Sequence, residues 1–181
     1  EVLRICFFPL DSLGLRLKAK SLSRIILNSY SFPILFPSTI KNEYFIMNVG
    51  DSRAYAISNQ VYQLTKDQSL VQQQIDLGRV RPEDAERHPQ RNVLLQCIGA
   101  SEEVLPDFYR GTVLPGTLFL LCSDGFRHEI SEQELFMQLN PSGLVNEEKM
   151  KERLVYLTEL VKSRREMDNI SAVAIKAVQE G

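Results

Sequence analysis

Thr117-Leu118-Phe119-Leu120-Leu121-Cys122-Ser123-Asp124-Gly125 is the stretch on which the fold turns. From Thr117 to Cys122 it carries no charge and has strand length, which predicts a β-strand buried on both faces. That strand empties directly into Ser-Asp-Gly, so a carboxylate stands at the mouth of an apolar element. Upstream, Tyr44-Phe45-Ile46-Met47-Asn48-Val49 is β-prone and runs into Gly50-Asp51-Ser52-Arg53 as a turn. Ala54 to Ile57 and Val61 to Leu64 flank Ser58-Asn59-Gln60, the pattern of a short antiparallel hairpin. Downstream, Ile170 to Ala177 reads as a last buried strand, entered just after Asp168-Asn169. Strands and helices mix without regular βα alternation, which predicts an α+β class: antiparallel sheets with helices packed outside.

The helices follow from their end signals. One is predicted to start at Asp67 as N-cap, carry Val71 and Ile75 on one face and stop at Gly78. Arg81-Pro82-Glu83-Asp84-Ala85 has proline and acids where a second helix begins. Ser131-Glu132-Gln133-Glu134 fits a capping box. After Asn146, Met150, Leu154, Leu157 and Val161 form one apolar stripe. Lys162, Arg164 and Arg165 close that helix and are assigned to its dipole.

Residues 1–40 have another character and are set apart from a domain over residues 41–181. They are basic (Arg4, Arg16, Lys18, Lys20, Arg24) with short apolar patches. Leu13, Leu15 and Leu17 alternate like a strand, while Leu22, Ile25 and Ile26 would line a short helix. Neither pattern runs long, so the segment is read as a poorly patterned tail. Its mixture of basic and apolar side chains leaves a membrane-surface helix open as an alternative, without firm membrane evidence. A signal peptide fits badly, because Pro9, Asp11 and Arg16 interrupt the first apolar run. The first residue is Glu1, not Met, which raises the expectation of a start further upstream.

Composition narrows the class. A chain of 181 residues with 44% hydrophobic and 24% charged residues is one ordinary globular domain by length and content. A net charge of −2 points to no nucleic acid partner. Cys6, Cys97 and Cys122 form no CxxC pair, which suits a reducing compartment and a cytoplasmic protein. The chain has no phosphate-binding glycine loop, no GxSxG elbow and no HExxH, and its histidines are His88 and His128 alone. What remains is Asp51, Asp124 and Asp168, each at the end of an apolar strand. A carboxylate in such a place needs a partner, and hard divalent cations prefer oxygen ligands. The ordinary alternative is that an aspartate beside a glycine is a turn residue. Arg127 and His128 are read as surface residues at a helix start, with approach to a phosphate as the alternative, and His88 as a solvated loop residue.

Read in order, the blocks resemble one family. Asn48-Val49-Gly50-Asp51-Ser52-Arg53-Ala54-Tyr55 and Gln63-Leu64-Thr65-Lys66-Asp67-Gln68-Ser69-Leu70-Val71 are similar to the middle of the metal-dependent protein phosphatases of the 2C type, the PPM family. Arg91 to Gly99 resembles the segment after that family's flap. Leu120-Leu121-Cys122-Ser123-Asp124-Gly125 and Asp168-Asn169-Ile170-Ser171 resemble its C-terminal signatures, in a bacterial flavour. The resemblance covers about residues 41–177. It implies a sandwich of two antiparallel sheets with helices on both outer faces, incomplete at the N-terminus. It also implies two core Mn²⁺ or Mg²⁺ ions, with a third possible in bacterial members. Asp124 and Asp168 match ligands of one core metal, and Asp51 the aspartate that shares the third ion with Asp124. The activity implied is hydrolysis of phosphoserine and phosphothreonine by a metal-activated water, on a phosphoprotein substrate and against a serine/threonine kinase. No phosphate-binding residue is assigned, and residues 67–91 are expected to form the flap. The family's opening Asp-Gly-x-Gly-Gly block, whose aspartate bridges both metals, has no counterpart here. The alternative is therefore a non-catalytic, truncated or frame-disrupted phosphatase-like module.

Overall fold

A computed structural model describes residues 2–10, 33–37, 42–100 and 103–179. The chain runs β1 (Val2–Leu10), β2 (Ile34–Pro37), β3 (Glu43–Asn48), β4 (Arg53–Ile57), β5 (Val61–Gln63) and α1 (Leu70–Asp76). A 3₁₀ helix over Pro82–Arg87 leads to β6 (Asp107–Thr112), β7 (Leu118–Cys122), α2 (Asp124–Arg127) and α3 (Glu132–Leu139). Another 3₁₀ turn at Pro141–Gly143, α4 (Glu147–Ser163) and β8 (Ser171–Gln179) complete it.

Five strands form one sheet in the order β1-β8-β7-β4-β5, and three form a second in the order β2-β3-β6. Every pairing is antiparallel except that of β1 with β8. The architecture is α+β, as the sequence predicts.

All five residues of β7 are buried, and alternation sorts them into two cores. Leu118, Leu120 and Cys122 join Phe126, Leu135, Leu139, Met150, Leu154, Leu157 and Val161 of the helical layer. Phe119 and Leu121 join Leu35, Ile46 and Val113 between the sheets. Met150, Leu154, Leu157 and Val161, the stripe read from the sequence, are fully buried against the five-stranded sheet. At about 25 cal/mol per Å² of apolar surface, side chains buried to this degree carry the fold's stability. The resemblance implies helices on both outer faces. Among the described residues, α2, α3 and α4 lie against β8, β5 and β1 of the larger sheet.

Three local expectations are corrected. The N-cap of α1 is Ser69, whose hydroxyl accepts from Gln72 N–H at 3.2 Å, and not Asp67. The segment at Pro82–Arg87 closes as a 3₁₀ helix. Arg164 turns to Glu134, accepted at 2.5 Å, so it joins α4 to α3 instead of only facing a dipole. The tail reading of the first residues also changes, since Val2–Leu10 pairs along β8 from Ser171 to Gln179. The Leu13 alternation and the Leu22 helix lie outside the described residues. Among the described residues, no helix is long and apolar enough to cross a membrane.

Candidate active site

Both key turns sit at the same end of the larger sheet, because β4 starts and β7 finishes there: Arg53 pairs with Cys122. Gly50 makes the first turn possible, with φ +89°. Gln68 braces it, since its Oε1 accepts from Gly50 N–H at 2.9 Å and its own N–H donates to Gly50 O at 2.9 Å. Asp51 follows, 9% exposed. Its carboxyl is pushed up to about 6, by burial first and then by the charge of Asp124, while Arg127 pulls the other way. Asp51 and Asp124 therefore share one electrostatic neighbourhood.

The second turn is stitched to the third acid. Ser123 Oγ donates to Asn169 O at 2.8 Å and accepts from Ser171 N–H at 3.0 Å. Gly125 packs so tightly that a Cβ there would lie 2.8 Å from Asn169 O and 3.1 Å from Asp168 Cβ. The Asp124 and Asp168 loops thus abut through their backbones. Asp124 Oδ1 accepts from Gly125 N–H at 2.9 Å, and Asp168 Oδ1 from Asn169 N–H at 2.6 Å. Asp168 is exposed, whereas Asp124 is half-buried. The structure brings Asp51 to Asp124 and the Asp124 loop to the Asp168 loop. Among the described residues, however, no three acidic, histidine or cysteine side chains gather tightly enough to hold a metal.

Beside the acids lies a charge network that local sequence patterns do not reveal. Asp67, with its side chain 8% exposed, accepts from Arg53 Nε and Nη2, both at 2.8 Å. It also accepts from Arg127 Nη2 at 3.2 Å, and that guanidinium reaches Asp51 O at 3.5 Å. Hydrogen bonding to Asp67 holds the Arg53 guanidinium more firmly protonated despite its burial. Arg127 is not a surface residue: its side chain is 10% exposed. His128 is partly buried, 3.7 Å from Glu166 Oε2, with its pKa lowered by burial and by Arg127. His88 stays in its loop, accepting from Gln90 N–H at 3.2 Å. Asp51, Arg53, Asp67 and Arg127 line a cleft of about 280 Å³ together with Glu86, Arg87, Arg91 and Glu129, so acids and arginines are mixed around it. The one clue to this network in the sequence is spacing: Arg127 stands one helical turn after Asp124, and Arg53 two residues after Asp51.

The chain is similar to bacterial serine/threonine phosphatases. It is 43% identical over 99 residues to protein phosphatase PhpP of Streptococcus pneumoniae serotype 2, covering 53% of this chain and 39% of PhpP. It is 35% identical over 114 residues to the serine/threonine phosphatase stp of Listeria monocytogenes serotype 4b, covering 62% of this chain and 45% of stp. The solved structure of Stp1 from Staphylococcus aureus superposes with a TM-score of 0.64 at 30% identity, over 75% of this chain and 52% of that one. The catalytic domain of PstP, solved with 2 manganese ions, gives a TM-score of 0.60 at 28% identity, over 74% of this chain and 52% of its own. No protein-family model matches. The chain spans about half the length of these relatives or less.

Proposed function

We propose that this chain is the C-terminal part of a PPM-type protein serine/threonine phosphatase domain, the class to which its bacterial homologues belong. The observation that carries the reading is the Asp51–Asp124 pair beside the Asp168 loop, at one sheet end and next to a cleft lined by arginines and acids. A buried carboxyl whose proton affinity is raised by burial and by a neighbouring carboxylate, as that of Asp51 is beside Asp124, belongs to an oxygen donor set waiting for positive charge. Asp124 and Asp168 would hold one Mn²⁺ or Mg²⁺ ion, and Asp51 with Asp124 a further one. Such ions, when bound, supply a water of lowered pKa and screen charge on phosphoryl oxygens. The chain's own residues do the positioning. Gln68 and Gly50 fix where Asp51 points, and the Ser123 hydroxyl locks the Asp124 and Asp168 loops together.

The substrate class is a phosphoserine or phosphothreonine protein, modified by a serine/threonine kinase, in a cytoplasm that keeps Cys97 and Cys122 as free thiols. The division at residue 40 belongs to the same reading, with residues 41–181 as the phosphatase portion. The second reading, a non-catalytic phosphatase-like module, is favoured by the absence of a three-ligand cluster among the described residues and of any Asp-Gly-x-Gly-Gly block.

Isothermal titration with Mn²⁺ separates the two readings. Binding is expected in the 181-residue chain and lost in Asp124→Asn and Asp168→Asn. Without the missing carboxylates, phosphopeptide hydrolysis by this chain is expected to be weak or undetectable. Mn²⁺ binding unaffected by either substitution would discard the assignment of these ligands. Ordinary Mn²⁺-dependent turnover would discard the second reading.

A further inference from the structure

Asp168 is exposed, and its Oδ1 accepts from Asn169 N–H, a neighbour in the same turn. Where its carboxylate aims therefore depends on how that turn is held. α4 ends at Ser163, and Arg164 just beyond is pinned to Glu134 and to Glu129 O. Arg165 then takes φ +69°, a left-handed conformation that is unfavourable for a residue with a side chain. After it Glu166 is tucked inward, its side chain 12% exposed. There Glu166 Oε1 accepts from Met167 N–H at 2.8 Å and from Asp168 N–H at 2.9 Å. Its other oxygen, Oε2, lies 3.7 Å from His128 Nδ1. Resting on the phosphatase reading above, we propose that Glu166 is a positioning residue, which holds the backbone of Asp168 beside the Asp124 turn so that both carboxylates reach one divalent cation.

Three features support the assignment. Hydrogen bonds from backbone amides to a carboxylate are about twice as strong as neutral ones, and Glu166 collects two of them on adjacent residues. Its carboxylate also stands between the two loops that matter. On one side it holds the Asp168 peptide; on the other it faces His128, whose N–H caps α2 by donating to Asp124 O at 3.0 Å. The contact of Gly125 with Asn169 O closes the same junction from the backbone side. The left-handed Arg165 fits this picture, because such a conformation persists only where its surroundings over-determine it. Here Arg164 anchors the chain before it and Glu166 the chain after it. With Oε1 committed to two amides and Oε2 turned toward His128, Glu166 serves the turn and is not itself a ligand.

The test compares the full chain with Glu166→Ala and Glu166→Gln in two measurements: Mn²⁺ affinity by isothermal titration, and hydrogen exchange of the Met167 and Asp168 amides without metal. Glu166→Ala should bind Mn²⁺ about tenfold more weakly or worse, the usual cost of removing a group that orients a metal ligand. It should also expose the two amides to faster exchange while those of β8 keep their protection. Glu166→Gln retains an oxygen that accepts from the same amides, and should restore most of both properties. The amide spectrum of each variant reports whether it is folded, and Glu166→Leu, which keeps bulk without an acceptor, takes the place of alanine if that variant unfolds. Parent-like affinity and exchange in Glu166→Ala would overturn the proposal. So would a glutamine variant as weak as alanine, since charge and not hydrogen bonding would then be at work. The exchange measurement keeps the two ideas apart. Mn²⁺ binding that depends on Asp124 but is indifferent to Glu166 sinks only the positioning role. Amide protection lost in alanine and restored in glutamine, in a parent that binds no Mn²⁺, supports the hold on Asp168 and sinks the metal reading.

Discussion

Asp67 is the residue on which the site's charge balance depends. Taken locally it has the look of a helix N-cap, and Ser69 two positions later takes that role instead. Its carboxylate is committed elsewhere, to Arg53 fourteen positions back and Arg127 sixty positions ahead. No local pattern encodes such partners, so the network cannot be read from the sequence. That Asp51 and Asp124 stand at one sheet end follows from the apolar strands beside them, whereas Arg127, which local pattern places on the surface, has a side chain only 10% exposed. Removing the anchor should therefore be costly. Asp67→Asn leaves Arg127, 10% exposed, and Arg53, 24% exposed, competing for one neutral amide. A loss of about 3 kcal/mol is expected. Urea unfolding of parent and variant checks it, and a change under about 0.5 kcal/mol would mean that solvent already screens the network.

Among the elements, β7, α4 and the β4–β5 hairpin were legible, because period and length agree with what each element buries. β7 is buried on both faces, and the α4 stripe recurs at helical spacing. β2 and β6 were not. β2 ends in Pro37 and follows Pro33, and proline is tolerated in a sheet only near an edge, where β2 indeed lies. β6 turns Tyr109 and Gly111 inward and Phe108, Arg110 and Thr112 outward, so its alternation carries little hydrophobic contrast. The Ser131 capping box was read correctly, but it has a second duty that tertiary packing alone reveals. Glu134, its acid, is held down at about 2 by Arg164 of α4, with Ser131 contributing. Because this carboxyl ionises more readily in the folded state, its contribution is present above the ordinary value of 4.5 and fades as pH falls toward about 2. The gap in melting temperature between the parent and Glu134→Gln should be widest near neutral pH and close on acidification. A gap independent of pH between 7 and 2 would assign the effect to capping alone.

On the scale of the whole molecule, three layers meet: α2, α3 and α4, the five-stranded sheet, and the three-stranded sheet. The larger sheet supplies both cores, so the acids at its end rest on the best-packed part of the protein. Its one parallel pairing has a further consequence for how the protein behaves in solution. β1 runs along all nine residues of β8, and without it Ser171–Gln179 would present a long row of open backbone donors and acceptors. Lys176, the strand's one charged side chain, is already engaged with Pro141 O and Leu144 O at 2.8 and 2.7 Å, so it is poorly placed as a gatekeeper. A chain lacking residues 1–10 should self-associate on size-exclusion chromatography, increasingly so as its concentration rises, while the full chain elutes without that trend. If the shortened chain shows no such trend, β8 must be covered by something other than β1. The first ten residues, which the sequence alone leaves as a featureless tail, would then be expendable; otherwise they act as an intramolecular guard against polymerisation.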